Sequence, residues 1–217
     1  MFPPAAATFS TIVSPYARFN LRRNPFGELT PEERAELAMV DVQRWVEFLR
    51  GPAAVQFVGP CGRGKTTHLL AIRRRLPSAV YLLLPETGPR PAMPDQRPLL
   101  IDEAQRLGFW QRRRVFAAGG PLALGTHGDL GPALRRSGLE VVTVELAAEG
   151  SPERLAQILN RRIEASRLTP AAVPRIELAH AVSLRDRFGS DVRQIEHHLY
   201  LQFQDAAQKG VPWPIAP

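Results

Sequence analysis

Apolar residues along this chain follow two different rhythms. Five short runs are apolar almost without interruption: Ala53-Ala54-Val55-Gln56-Phe57-Val58, Ser78 to Leu84, Leu99-Leu100-Ile101, Pro121 to Gly125, and Leu139 to Leu146. Short runs of this kind, bounded by Gly and Pro, predict strands covered on both faces. Between them lie segments with helical character: Thr67 to Ile72, the arginine-rich Phe109 to Ala118, and Asp129 to Arg136, the last broken near its start by Gly131-Pro132. Another helix precedes the first strand. Thr30 is its N-cap, Pro31 its first residue, and Glu33 closes a capping box. It is expected to keep Leu37, Val40, Trp45, Val46 and Leu49 on one face until Gly51-Pro52 ends it.

After Gly150 the strand rhythm stops. Ser151-Pro152 opens a helix carrying Leu155, Ile158, Leu159 and Ile163, and Thr169-Pro170 ends it. A second helix covers roughly Pro174 to Phe188 and stops at Gly189. Ser190 caps a third, with Val192, Ile195, Leu199 and Phe203 inward. Strands alternating with helices predict an α/β fold, a five-stranded parallel sheet sandwiched by helices and joined by right-handed crossovers. The helical remainder, about 55 residues, is too small for a robust core of its own and is expected to dock on the sheet domain. The expected divisions are an N-terminal arm at 1–23, a core at 24–149, a helical unit at 150–208 and a tail at 209–217. Ligands of such sheets bind at the carboxyl ends of the strands.

Composition narrows the picture little. At 217 residues, 44% hydrophobic and 23% charged, the chain is an ordinary globular protein. Its single cysteine, Cys61, excludes an internal disulfide and the multi-cysteine zinc sites. No apolar run approaches about 18 residues, so no membrane insertion is expected. Met1 to Ala7 lacks the basic and apolar regions of a secretory signal, which makes the cytoplasm the expected compartment. The formal charge of +7 is compatible with a nucleic-acid partner. A bias toward arginine competes as the explanation, because Lys65 and Lys209 are the only lysines. That bias makes Lys65 more telling, since a compact ammonium is retained where the chain otherwise uses guanidinium.

Lys65 belongs to Gly59-Pro60-Cys61-Gly62-Arg63-Gly64-Lys65-Thr66, which fits G-x-x-x-x-G-K-[ST]. The motif follows an apolar strand and opens a helix, the context a phosphate-binding loop requires. Its glycines let backbone N–H groups curl around phosphates. Lys65 reaches the β and γ phosphates, and the Thr66 hydroxyl can ligate Mg²⁺. ATP with Mg²⁺ is the expected ligand, and Gly59 through Thr67 its expected contacts.

Three further stretches bear on the fate of the nucleotide. Leu99-Leu100-Ile101 runs into Asp102-Glu103. Asp102 stands where a Mg²⁺-holding acid is needed, and Glu103 is placed to polarise an attacking water as general base. Gly125-Thr126-His127-Gly128-Asp129 ends the next strand. Thr126, which follows the strand directly, or His127 would orient the water or sense the γ-phosphate, while Asp129 reads as a helix cap. Arg193 lies in the first turn of the last helix, where the helix dipole disfavours a cation. An anion there, the nucleotide phosphates, would explain it.

Together these pieces resemble the AAA+ ATPases over about Asn24 to Gln208. Gly59 to Thr66 matches Walker A, Leu99 to Glu103 matches Walker B, Thr126/His127 the sensor 1 position, and Arg193 the sensor 2 arginine of the helical lid. Asp102-Glu103-Ala104-Gln105-Arg106-Leu107 is most similar to the bacterial branch with the ExeA/MshM-type and TniB-type ATPases, and Asn24-Pro25-Phe26 is similar to the start of ExeA-like domains. The resemblance implies a homo-oligomer with an arginine finger from the neighbouring subunit, Arg136 or the adjacent Arg135. It implies an adenine pocket built from Asn24, Pro25 and Phe26 with the lid. The expected function is an ATP-hydrolysing oligomeric switch or motor with DNA as one candidate partner. A nucleotide-dependent regulatory module with little hydrolysis is the alternative. A small-molecule kinase is disfavoured by the Asp-Glu pair and Arg193.

Overall fold

The computed structural model describes residues 14–146 and 150–213. Parts of the expected arm (1–13), core (147–149) and tail (214–217) lie outside the described residues. Five strands form one parallel sheet: β1 (Ala53–Val58), β2 (Val80–Leu83), β3 (Leu99–Asp102), β4 (Leu122–Thr126) and β5 (Glu140–Glu145). Their order is β2-β3-β4-β1-β5, so β1 lies between β4 and β5. The central strands β1, β3 and β4 are buried throughout. The apolar run at β2 predicts full burial, yet β2 is an edge strand and Leu83 is 54% exposed. An edge strand has a neighbour on one side only, which a run of apolar residues does not disclose.

Side chains alternate across the sheet and build two cores. On one face Val55, Phe57, Leu100 and Ala123 pack with Leu69 and Ile72 of α3 (Lys65–Arg75) and with Trp45 and Val46. On the other, Ala54, Leu99, Ile101, Leu122 and Leu124 meet Val115 and Phe116 of α4 (Phe109–Ala117) and Leu134 of α5 (Gly131–Arg136). The same alternation puts Asp102, two residues beyond Leu100, on the α3 face.

The helix expected before β1 is two helices, α1 (Pro31–Leu37) and α2 (Gln43–Phe48). The capping box at Thr30 and Glu33 forms. Ala38 turns extended, and the Asp41 carboxylate accepts the Gln43 amide at 3.0 Å, so a local side-chain bond replaces helical bonding. Pro132 sits inside the first turn of α5 and starts that helix rather than breaking it.

The helical unit holds α6 (Pro152–Ala165), α7 (Leu178–Phe188) and α8 (Val192–Lys209). Helix α6 stops before Thr169-Pro170, because Arg167 bridges to Leu21 and Leu168 N donates to the Asn20 carbonyl. Helix α7 begins four residues later than expected, since the Asn160 amide holds both backbone groups of Ile176 in an extended segment. The cap of α8 is Asp191, not Ser190, and it accepts the amides of Arg193 and Gln194. Leu21 and Phe26 lie in the core of this helical unit with Leu159, Ile195 and Phe203. Arg162, 4% exposed, fastens them. It pairs with Glu196 of α8 at 2.5 Å, donates to the Pro25 carbonyl at 2.9 Å, and donates to the Gly27 carbonyl.

Replacing Arg162 by Met strands a carboxylate and two carbonyls at once. A loss of about 3–5 kcal/mol is expected, read as a lower urea midpoint. An unchanged midpoint would show that Arg162 does not fasten the N-terminal segment.

Candidate active site

The loop after β1 is anchored before it turns, with Gly59 N donating to the Thr126 carbonyl of β4 at 3.1 Å. Gly62 and Gly64 have φ of 78° and 86°, the left-handed region in which a side chain is strained. Gly64 caps α3, and Lys65 is its first residue. The Lys65 ammonium folds back to donate to the carbonyls of Gly59 and Pro60, each at 2.7 Å. Burial holds its pKa below the usual lysine value. On the next turn His68 lies over the Phe57 ring, with Nδ1 2.9 Å from the Gly64 carbonyl.

Asp102 is 1% exposed, and donors surround it. The Thr66 hydroxyl donates to Oδ2 at 2.6 Å and the Tyr81 phenol to the same oxygen at 2.9 Å. The Glu103 amide donates to Oδ1 at 3.1 Å. A β-carbon at Gly125 would lie 2.7 Å from Oδ1, so β4 needs glycine to pass the carboxylate. Burial and the adjacent Asp102 charge push the Tyr81 pKa up, which keeps the phenol a donor. Thr66 and Asp102 are hard oxygen groups meeting at the end of β3, a pair that fits Mg²⁺. Among the described residues no cluster of three His, Cys, Asp or Glu could hold a metal alone. A metal at this pair would therefore complete its shell with water or ligand oxygens.

Glu103 has φ 59° and ψ 41°, a left-handed conformation uncommon outside glycine. The turn swings its side chain out of the strand rhythm. Its Oε2 accepts from Gln105 Nε2 at 2.7 Å and lies 3.3 Å from Arg106 Nη2 and 3.7 Å from His127 Nε2. Of the two sensor candidates, Thr126 is fully buried and its hydroxyl donates to the Gly128 carbonyl at 2.9 Å. The His127 ring faces Glu103 and stands 3.7 Å from the exposed Cys61 thiol of the phosphate loop.

Asp129 is held by its own neighbourhood. It accepts the Gly131 amide at 2.7 Å and the Gln56 amide, and these bonds lower its pKa, the Gly131 bond most. Arg135 and Arg136 are exposed at the end of α5, and Arg136 Nε donates to the Pro132 carbonyl at 3.2 Å. Asn24 donates to the Tyr200 carbonyl at 2.9 Å and accepts the Phe26 amide, while the Phe26 ring packs edge-on against Phe203. These two side chains are engaged with the helical unit. Arg193 is exposed, and its charge helps to lower the Lys65 pKa. The structure thus gathers Lys65, Thr66, Asp102, Glu103, His127 and Arg193 at one end of the sheet.

Three participants are absent from the sequence reading. Tyr81 supports Asp102 from β2. Gln56, buried in the middle of β1, donates to Thr143 at 2.8 Å and accepts the Leu130 amide at 2.9 Å, and so holds the segment after His127. The signal for Gln56 is in the sequence: it is the one polar residue in the run Ala53 to Val58. The third is Asp191 beside Gly62.

Twenty-four solved chains match this structure. One is a single-substitution variant of RuvB from Thermotoga maritima, with a TM-score of 0.54 and 18% identity over 88% of this chain. The chain spans 66% of that protein, just under two thirds of its length. At this identity the likeness shows the fold alone, a five-stranded parallel α/β sheet of the P-loop NTPase type with flanking helices. No family model and no curated protein matches the sequence.

Removing the Tyr81 hydroxyl with Tyr81→Phe should raise the Mg²⁺ concentration needed for metal-dependent nucleotide binding about tenfold. Equal Mg²⁺ titrations of the two proteins would remove Tyr81 from the site. Acid should also weaken the fold. Burial holds His68, His180 and His198 below the ordinary imidazole pKa. Just below about pH 6.5 the unfolded chain binds more protons than the folded one, so stability falls with pH in that window. The urea midpoint should drop between pH 7.5 and 5.5, and less so in His68→Gln.

Proposed function

We propose that this chain is an ATP-hydrolysing AAA+ ATPase that works as an oligomeric switch or motor, with DNA as a candidate partner. The observation that carries the reading is the 2.6 Å bond from Thr66 to Asp102, with Glu103 one residue further on. It joins the phosphate loop to the strand-end carboxylates at the carboxyl edge of a parallel sheet, where the γ-phosphate of a bound nucleotide lies.

In this reading the loop amides from Gly62 to Thr67 hold the phosphates, and the Lys65 ammonium leaves the Gly59 and Pro60 carbonyls for phosphate oxygens. Thr66 and Asp102 hold Mg²⁺, which neutralises charge on the β and γ phosphates when bound. Glu103 takes a proton from the attacking water as oxygen bonds to the γ-phosphorus. The bond to the bridging oxygen breaks, and ADP and inorganic phosphate leave. To act through Oε2, the carboxylate must be released by Gln105 and Arg106. His127 is the better-placed γ-phosphate sensor, Arg193 the lid cation, and Arg136 the residue assigned to the neighbouring subunit's site. The string from Asp102 to Leu107 supports a relation to the ExeA/MshM and TniB branch.

A specific observation favours the alternative of a regulatory module with slow hydrolysis. The candidate base is already engaged on one oxygen, by a hydrogen bond from Gln105 and an ion pair with Arg106. A measured rate decides between the readings. Glu103→Gln should lower ATP turnover at least about a hundredfold while retaining ATP binding. Wild-type turnover should rise steeply with protein concentration if the site is shared, and salt-sensitive stimulation by double-stranded DNA would identify the partner. Absence of wild-type turnover at every concentration, with and without DNA, would sink the hydrolytic reading.

A further inference from the structure

The helical unit reaches the phosphate loop through a carboxylate. A β-carbon placed on Gly62 would fall 2.5 Å from Asp191 Oδ1 and 3.0 Å from its Cγ. A Cα–Cβ bond adds about 1.5 Å, so Oδ1 stands within about 4 Å of the Gly62 Cα. Asp191 does not drift there on a loose tether. Its Oδ1 accepts the amides of Arg193 at 3.0 Å and Gln194 at 3.2 Å, and Oδ2 accepts from the Gln194 side chain at 3.2 Å. The carboxylate is fixed to the first turn of α8, and its position is the position of that helix.

Resting on the nucleotide-site reading, we infer that the Asp191 carboxylate lowers the affinity of the phosphate loop for nucleotide phosphates. Phosphates on the loop bring negative charge against a carboxylate that touches the loop at Gly62. The same helix carries Arg193, two residues on, whose charge is attracted by those phosphates. One turn of α8 therefore presents an anion that phosphate repels and a cation that it attracts. Gly62 is required twice, for its φ of 78° and because any side chain would collide with Asp191. The loop and the helix are thus fitted to each other at this point. A small neutral replacement at 191 should release the repulsion without removing the cap.

Asp191→Asn is that replacement, since asparagine caps a helix as well as aspartate does. Equilibrium titration with fluorescent ADP and ATP analogues is the test, at low and high salt, with thermal melts to verify folding. Asp191→Asn should bind about three- to tenfold more tightly than wild type at low salt, and the gain should shrink at high salt, as expected for a screened charge. Equal or weaker binding by a folded variant, or a gain indifferent to salt, would overturn the inference while leaving the nucleotide site standing. If neither protein binds either nucleotide, the nucleotide-site reading itself fails and this inference with it.

Discussion

A buried carboxylate is the constraint on which this site depends. Asp102 lies at 1% exposure at the end of a strand whose other residues are apolar. A charge in such a place is tolerable only if donors surround it. They come from three directions: Thr66 on α3, Tyr81 on β2, and the Glu103 backbone on the turn that follows. Satisfying that one group therefore fixes the first turn of α3 against the sheet, the side chain of an edge strand, and the backbone of the candidate base. Gly125 completes the enclosure by yielding the space a β-carbon would take.

Internal partners occupy the charged groups closest to the phosphate loop. Lys65 is taken by the carbonyls of its own loop, Glu103 by Gln105 and Arg106, and Asp191 by the amides of α8 beside Gly62. These bonds satisfy groups that burial would otherwise leave costly. Under the proposed reading, a phosphate ligand acts on the Lys65 and Asp191 contacts in opposite senses, attracting the cation and repelling the anion.

The core of the helical unit is separate from the two sheet cores and includes Leu21 and Phe26 from before the first strand. Arg162 binds α6, α8 and the backbone at Pro25 and Gly27 into one body. Leu21 and Phe26 complete its apolar interior. The helical unit thus shares one core with a segment that lies far away in sequence.

Much of this was legible in the residues. Apolar runs set the five strands, since strands covered on both faces tolerate only apolar side chains. The glycine-rich loop before Lys65 and Thr66 stood out because its backbone conformation demands glycine at fixed positions, and Asp102-Glu103 because the end of a buried strand downstream of that loop is where a metal-holding acid is needed. Local polar bonds moved several boundaries: Asp41 split one helix, Asn160 delayed α7, and Asp191 replaced Ser190 as a cap. Tertiary structure alone decided which strands lie at the edges, that Tyr81 reaches Asp102, that His127 rather than Thr126 faces Glu103, that Asn24 and Phe26 serve the helical unit, and that Asp191 meets Gly62. The physical reason is common to all of them. Periodicity and backbone conformation are local properties written into neighbouring residues, whereas each of these contacts joins segments distant in sequence, and only the packed sheet and helices bring them within reach.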